Sequence, residues 1–109
     1  MLKIEQERLV KDWPATVTLA VDGGKTETHN ITLDLLLLDV EQSDKVLRYF
    51  KEEVKKVIKG WSGIADADEQ PLDFTPEHLD LVISNPPFMK GVVDAYLQAN
   101  SGQGAEKNS

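Results

Sequence analysis

Hydrophobic residues alternate with polar or small ones over residues 15 to 38, and this spacing predicts a β-hairpin. The first strand carries apolar side chains at every second position: Val17, Leu19 and Val21. The return strand repeats the pattern with Ile31, Leu33, Leu35 and Leu37. Between them, Asp22-Gly23-Gly24-Lys25 supplies a tight turn, because glycine adopts positive φ angles at little cost. We therefore expect one apolar face on this hairpin.

The two ends of the hairpin are less regular than its middle. Pro14 marks the predicted start of the first strand, and residues 2 to 13 fit either a short helix or an extended arm. Leu36 and Leu38 fall out of the alternation. This indicates a strand end that is buried on both faces, bulged, or already bending toward a helix.

Three later segments have the spacing of amphipathic helices. The clearest is residues 41 to 59, ending at Gly60, with one apolar stripe of Leu47, Phe50, Val54, Val57 and Trp61. A second helix begins at Thr75, which can cap it, followed by Pro76, which suits the first helical position. A third begins after Asn85 and has apolar residues at helical spacing: Phe88, Met89, Val92, Val93, Tyr96 and Leu97.

Together these elements predict an α+β fold in which the N-terminal β-hairpin packs with about three α-helices. A chain of 109 residues suits one domain, which we place at residues 1 to 99. Residues 100 to 109 contain no apolar residue larger than alanine, so burial cannot offset the entropy that ordering them would cost. We expect these residues to form a flexible, disordered tail.

The charge is uneven along the chain. The formal net charge is −7, and six carboxylates with no lysine or arginine lie in residues 60 to 80, while acids and bases nearly balance elsewhere. An acidic chain repels phosphate backbones, so nucleic acid is not an expected partner. The longest uncharged apolar run, Leu35 to Leu38, is too short to span a membrane. The N-terminus has no signal-peptide pattern, and we expect a cytoplasmic protein.

The acidic segment invites comparison with a calcium-binding EF-hand loop, but the match fails. Four residues stand at ligand positions of such a loop: Asp66, Asp68, Gln70 and Glu77. Pro71 occupies the place that needs glycine, and proline cannot take a positive φ. The chain has no cysteine, and its two histidines, His29 and His78, are far apart in sequence. We therefore expect no metal, no cofactor and no catalytic residue, and predict that the protein is not an enzyme.

Residues 60 to 108 resemble the tail assembly chaperones of long-tailed bacteriophages. In that family a tryptophan-glycine segment leads through an acidic turn to proline-leucine and then to phenylalanine-serine/threonine before a helix. This chain has the matching residues Trp61, Gly63, Asp66, Pro71, Leu72, Phe74 and Thr75. The last helix has the family's alanine-tyrosine pair at Ala95-Tyr96, and the hairpin with its glycine turn also fits. One departure is Glu69-Gln70, where relatives often carry glycine before the proline.

The resemblance implies a non-catalytic chaperone that keeps the long, helical tape-measure protein soluble and brings tail-tube subunits to it. Such a protein is absent from the mature virion, and a homo-oligomer would suit a protein that coats a long rod. Members are commonly made in two forms, the longer one by ribosomal frameshifting. Glu106, Lys107 and Asn108 permit the codons GAA-AAA-AAC, which contain a run on which a ribosome can slip.

In this interpretation the acidic segment is a solvated connector. Pro71, Leu72 and Phe74 are expected to hold two helices together, while the carboxylates attract basic partner segments. The alternative is a small acidic regulatory binding protein, either antitoxin-like or a mimic of nucleic acid. A mimic requires acids spread over one face at the spacing of phosphates, whereas six of them are bunched here. Slippery codons and an open overlapping frame would favour the chaperone.

Overall fold

The chain folds as an α+β protein, which confirms the predicted fold class. The computed structural model describes residues 1 to 105. Within them, three strands form one antiparallel sheet in the order β1-β2-β3, and four α-helices accompany it. In chain order the elements are β1 (Arg8–Val21), β2 (Lys25–Leu37), α1 (Val40–Leu47), α2 (Lys51–Val57), β3 (Ile58–Ser62), α3 (Pro76–Ile83) and α4 (Pro86–Asn100).

The predicted hairpin is present, and its turn is a short 3-10 segment, Asp22–Gly24. Both glycines of this turn have positive φ angles, of 78° and 75°, as the sequence predicts. The strands are longer than expected, because β1 begins at Arg8 rather than at Pro14. Residues 8 to 13 are therefore part of a strand and not of a helix.

A β-bulge interrupts β1 just before Pro14. The register with β2 shifts between Val10 and Trp13, and Asp12 has a φ of 54° there. The Asp12 backbone N–H donates to the Asp34 carboxylate at 2.9 Å. A bulge strengthens the local twist and interrupts the regular row of backbone groups on an edge strand. The edge of the sheet that β1 forms is therefore discontinuous.

The predicted helix over residues 41 to 59 is wrong in its extent. The segment contains two short helices, α1 and α2, which are separated at Tyr49, where φ is 65°. The Tyr49 N–H donates to the Val46 carbonyl and the Phe50 N–H to the Lys45 carbonyl, a Schellman arrangement that ends α1. The apolar stripe continues across this break, so periodicity alone did not reveal it.

The end of the same segment is a third strand, although Trp61 continues the helical spacing of apolar residues in the sequence. β3 pairs antiparallel with β2, placing Trp61 opposite Leu33 and Gly60 opposite Asp34. Gly60 is buried, and a Cβ there would lie 2.6 Å from an Asp34 carboxylate oxygen. β3 also supplies hydrogen-bond partners to the second edge of β2. Gly60 thus permits a close approach inside a sheet rather than ending a helix.

Helix α4 lies against the apolar face of the hairpin, and the two together form most of the core. The hairpin contributes Ala15, Val17, Ile31, Leu33, Leu35 and Leu37. The helix contributes Phe88, Val92, Val93, Ala95, Tyr96 and Ala99. The apolar face predicted for the hairpin is confirmed along this length, but residues 20 to 30 are exposed, so the tip of the hairpin projects beyond the core.

Candidate partner-binding groove

Trp61 in β3 connects the segment that carries the family resemblance to the core. Its indole N–H donates to the Leu72 carbonyl oxygen at 2.8 Å. Its ring meets Phe74 edge-on, with centroids 4.9 Å apart, and Phe88 of α4 in the same way at 6.4 Å. Such edge-to-face pairs add to the free energy of apolar burial. Trp61 packs against the core as expected, but from a strand and not from a helix.

The expectation that Pro71, Leu72 and Phe74 hold two helices together needs correction. The Phe74 side chain is 38% exposed and packs against the ring of Trp61, which belongs to the sheet. Leu72 accepts the indole hydrogen bond, and Pro71 forms a β-bridge with Ala65. Leu72 and Phe74 therefore attach the segment after β3 to that strand, while Pro71 pairs with Ala65 within the segment itself. The helical spacing that includes Trp61 predicts a helix–helix contact here, whereas Trp61 lies in β3.

Asp66 shapes the acidic loop, by which we mean residues 63 to 72. Its carboxylate accepts hydrogen bonds from the backbone N–H groups of Asp68 at 2.8 Å and Gln70 at 3.0 Å. The Asp66 N–H in turn donates to the Gln70 carbonyl at 2.9 Å. Asp66 thus stabilises the turn, as aspartate side chains commonly do in loops. Among residues 1 to 105, no group of three or more His, Cys, Asp or Glu is arranged to hold a metal ion.

Two residues of the acidic loop adopt left-handed backbone conformations. Gly63 has a φ of 85°, and a Cβ there would lie 3.2 Å from the Asn30 carbonyl oxygen, so both conformation and space favour glycine. Glu69 has a φ of 62°. A side chain in this conformation costs on the order of 1 kcal/mol. Glycine at position 69 would adopt the same conformation without this cost.

Both helix starts that the sequence predicts are confirmed. The Thr75 hydroxyl accepts a hydrogen bond from the His78 N–H at 3.1 Å, and Pro76 occupies the first position of α3. The Asn85 side-chain oxygen accepts from the Phe88 N–H at 2.9 Å and caps α4. Asn85, in the short connection between the two helices, lines the same cavity as Asp66 and Leu72 of the acidic loop.

Tyr96 of α4 secures the end of β2. Its fully buried side chain donates a hydrogen bond to the Leu36 carbonyl and accepts one from the Leu38 N–H, each at 3.0 Å. Burial raises the pKa of the Tyr96 hydroxyl above its ordinary value of 10.0, although the Leu38 hydrogen bond opposes the shift. The two leucines that broke the predicted alternation are therefore the residues that Tyr96 holds.

Replacing Tyr96 with phenylalanine is expected to lower the free energy of unfolding by about 1 to 3 kcal/mol, because the Leu38 N–H loses its acceptor. The wild-type chain should also lose stability in alkali. Since folding raises the pKa of Tyr96, its contribution is complete below pH 10.0 and is lost as the pH rises through the raised pKa. Urea unfolding of the wild type and of Tyr96→Phe at about pH 8 and about pH 11 measures both effects. If the two proteins lost the same free energy of unfolding between these pH values, the assignment would be contradicted.

An open groove of about 570 Å³ lies beside the acidic loop. The hairpin, the loop, α3 and the start of α4 all contribute to its walls, with apolar side chains that include Val17, Leu19, Ile31, Ile64, Leu81 and Val82. Its volume lies within the range of about 300 to 1,000 Å³ that is usual for binding clefts. Leu81 is 66% exposed, and it is followed in α3 by the apolar residues Val82 and Ile83.

The polar side chains in the groove are already engaged with the protein itself. Asp66 accepts the two loop N–H groups, and Asn85 caps α4. His29 pairs with the Glu27 carboxylate at 3.1 Å. An occupant would therefore meet mainly apolar side chains, which suits a hydrophobic partner better than a small polar substrate.

The acidic segment beside the groove carries exposed negative charge. Within the described part of the chain, residues 1 to 105, five carboxylates of the acidic segment form no ion pair: Asp66, Asp68, Glu69, Asp73 and Glu77. The sixth, Asp80, pairs with Lys55, whose hydrogen bond lowers the pKa of that carboxyl group. The negative charge that the sequence concentrates here thus remains largely uncompensated.

The groove brings together only some of the residues that carry the resemblance. Gly63, Asp66 and Leu72 line it. Trp61, Pro71, Phe74, Thr75 and Tyr96 support the loop or the helices through the contacts described above, and Ala95 is buried in the core. Leu81 is not among the predicted site residues. The available signal was the run Leu81-Val82-Ile83, of which only Ile83 belongs to the buried side of α3.

Comparisons with protein-family models, with curated proteins and with solved structures found no match to this chain. Glu106, Lys107 and Asn108, which the resemblance associates with frameshifting, lie outside the described residues. Helix α4 ends at Asn100, one residue past the predicted domain boundary. Over residues 1 to 105, the helices are too short or too polar for any of them to cross a membrane.

Proposed function

We propose that this chain is a non-catalytic tail assembly chaperone of a long-tailed bacteriophage, which binds the tape-measure protein and helps to recruit tail-tube subunits. The observation that carries the proposal is the open apolar groove beside the acidic loop, in which Leu81 is 66% exposed. An amphipathic helix docks by laying its apolar side chains into a groove of this kind. A protein that keeps a long helical partner soluble needs such a surface.

The state of the polar groups in the groove supports binding rather than catalysis. A catalytic site brings a nucleophile, a base and charge-stabilising donors together around one substrate position. The polar side chains that line the groove are His29, Asp66 and Asn85, and the last two accept hydrogen bonds from backbone N–H groups of the loop and of α4. This arrangement favours a surface that holds a partner and does no chemistry on it.

The remaining parts of the proposal follow from what a tape-measure chaperone must do. It acts in the bacterial cytoplasm and leaves before the virion is complete. Many copies bind along one tape-measure protein, so copies of the chain act together as an oligomer. A longer form, made by frameshifting near Glu106, Lys107 and Asn108, would carry the contact to the tail-tube protein.

Co-expression with the tape-measure protein tests this proposal. We expect the gene for a very long helical protein to lie just downstream, and fragments of that protein to be insoluble alone but soluble in complex with this chain. Affinity capture of the tagged chain, followed by identification of the retained fragment, provides the measurement. An unrelated coiled-coil fragment is the control and should not be retained. Failure to retain any tape-measure fragment would overturn the proposed function.

A further inference from the structure

We propose that the groove selects helical segments whose apolar stripe is bordered by lysine and arginine; this rests on the proposed function and specifies the chemistry of the partner. Two features meet at one place. The groove presents apolar side chains from the hairpin, the loop and α3. The acidic loop and the start of α3 present carboxylates that have no ion-pair partner within residues 1 to 105.

The apolar part of the groove accounts for affinity. Leu81 and Val82 are adjacent on α3, and they face a cleft that Ile64 and Leu72 also line. A helix that buries residues at positions i, i+3 or i+4, and i+7 would cover these side chains. Removing apolar surface from water stabilises such a complex in proportion to the area buried, and Leu81 is the most exposed large apolar side chain of α3.

The acidic part accounts for selection. Asp68 and Glu69 are exposed and lie in the loop whose Asp66 lines the groove, and Glu77 lies in the first turn of α3. Complementary charge accelerates association and disfavours partners of the same sign, while it contributes less to affinity than apolar burial does. A basic border on the partner helix would meet these carboxylates, whereas an acidic border would be repelled.

Two synthetic peptides of about 18 residues test the proposal, because helices of this length form about five turns. Both carry the same leucine stripe, and their remaining positions are mainly lysine in one and mainly glutamate in the other. We expect the lysine peptide to bind the full chain at least about tenfold more tightly than the glutamate peptide, with a difference that shrinks at high salt. Fluorescence anisotropy measures the affinities, and amide NMR shifts should map to Leu81 and Ile64.

Matched variants separate the groove from general attraction to an acidic protein. Leu81→Ser should weaken binding of the lysine peptide about tenfold or more, while Leu97→Ser, at a 49% exposed leucine of α4 that does not line the groove, should leave it unchanged. The double variant Asp68→Asn, Glu69→Gln should reduce the preference for lysine over glutamate severalfold. A lysine peptide with its leucines scattered around the helix should bind weakly.

Three outcomes would overturn the proposal: equal binding of the two peptides, equal effects of the two leucine variants, or equal binding of the scattered peptide. Each outcome is distinct from failure of the proposed function. Capture of a tape-measure fragment without a preference for basic peptides would leave the function standing and remove this inference. A preference for basic peptides that maps to the groove, without capture of any tape-measure fragment, would support this inference about peptide binding and overturn the proposed function.

Discussion

Replacing Trp61 with alanine is expected to lower the free energy of unfolding by about 3 kcal/mol, near the lower end of the range for large aromatic side chains in cores. The substitution removes edge-on contacts with Phe74 and Phe88 and the hydrogen bond to the Leu72 carbonyl. Because these contacts attach the acidic loop to β3, the loop should also become more sensitive to proteolysis. Urea unfolding and limited proteolysis measure the two effects.

Tryptophan-to-phenylalanine variants provide the matched control. Trp61→Phe keeps an aromatic ring but loses the indole donor, so the Leu72 carbonyl loses its hydrogen bond and the expected loss is about 1 kcal/mol. Within residues 1 to 105 the buried indole N–H of Trp13 has no hydrogen-bond partner. Trp13→Phe should therefore lower the free energy of unfolding by less than Trp61→Phe does. A loss below about 0.5 kcal/mol for Trp61→Ala would contradict the position assigned to this side chain.

Replacing Gly91 with alanine is expected to destabilise the fold by about 1 to 3 kcal/mol, although alanine favours helices over glycine by about 1 kcal/mol. A Cβ at Gly91 would overlap the Thr16 carbonyl oxygen, which is backbone and cannot turn aside as a side chain does. α4 would have to move away from β1, and this movement would loosen the core that the two elements share.

Thermal or urea unfolding of Gly91→Ala, compared with Gly104→Ala, isolates the steric effect. Nothing lies within 4 Å of the position that a Cβ would take at Gly104, so that variant should unfold with the wild-type midpoint. A Gly91→Ala chain as stable as the wild type would show that α4 is not held at this distance from β1.

Local signals predicted the parts of the fold that depend on neighbouring residues. The glycine turn of the hairpin, the Thr75 cap of α3 and the Asn85 cap of α4 all lie where the sequence indicates. Each of these features is set by side chains within three or four residues of the backbone that they stabilise. For that reason they could be predicted from the sequence without knowledge of the tertiary structure.

The break at Tyr49 and the strand β3 could not be predicted from local signals. The stripe from Leu47 to Trp61 satisfies helical periodicity, yet Trp61 lies in a strand that pairs with β2. Pairing with β3 gives hydrogen-bond partners to backbone groups of β2, which is distant in sequence. Periodicity within one segment carries no information about an unpaired strand elsewhere in the chain. The correction to Phe74 follows from the same cause, because its partner Trp61 belongs to the sheet.

The sequence by itself determined the α+β class, the hairpin and the concentration of six carboxylates in residues 60 to 80, since composition and local spacing decide these. Only the tertiary structure decided that the acidic loop borders an apolar groove. Ile31, Ile64 and Leu81 are far apart in the chain, and they line one cleft because β3 pairs with the hairpin while α3 packs against α2 and α4. Such convergence depends on long-range packing, which no single stretch of sequence contains.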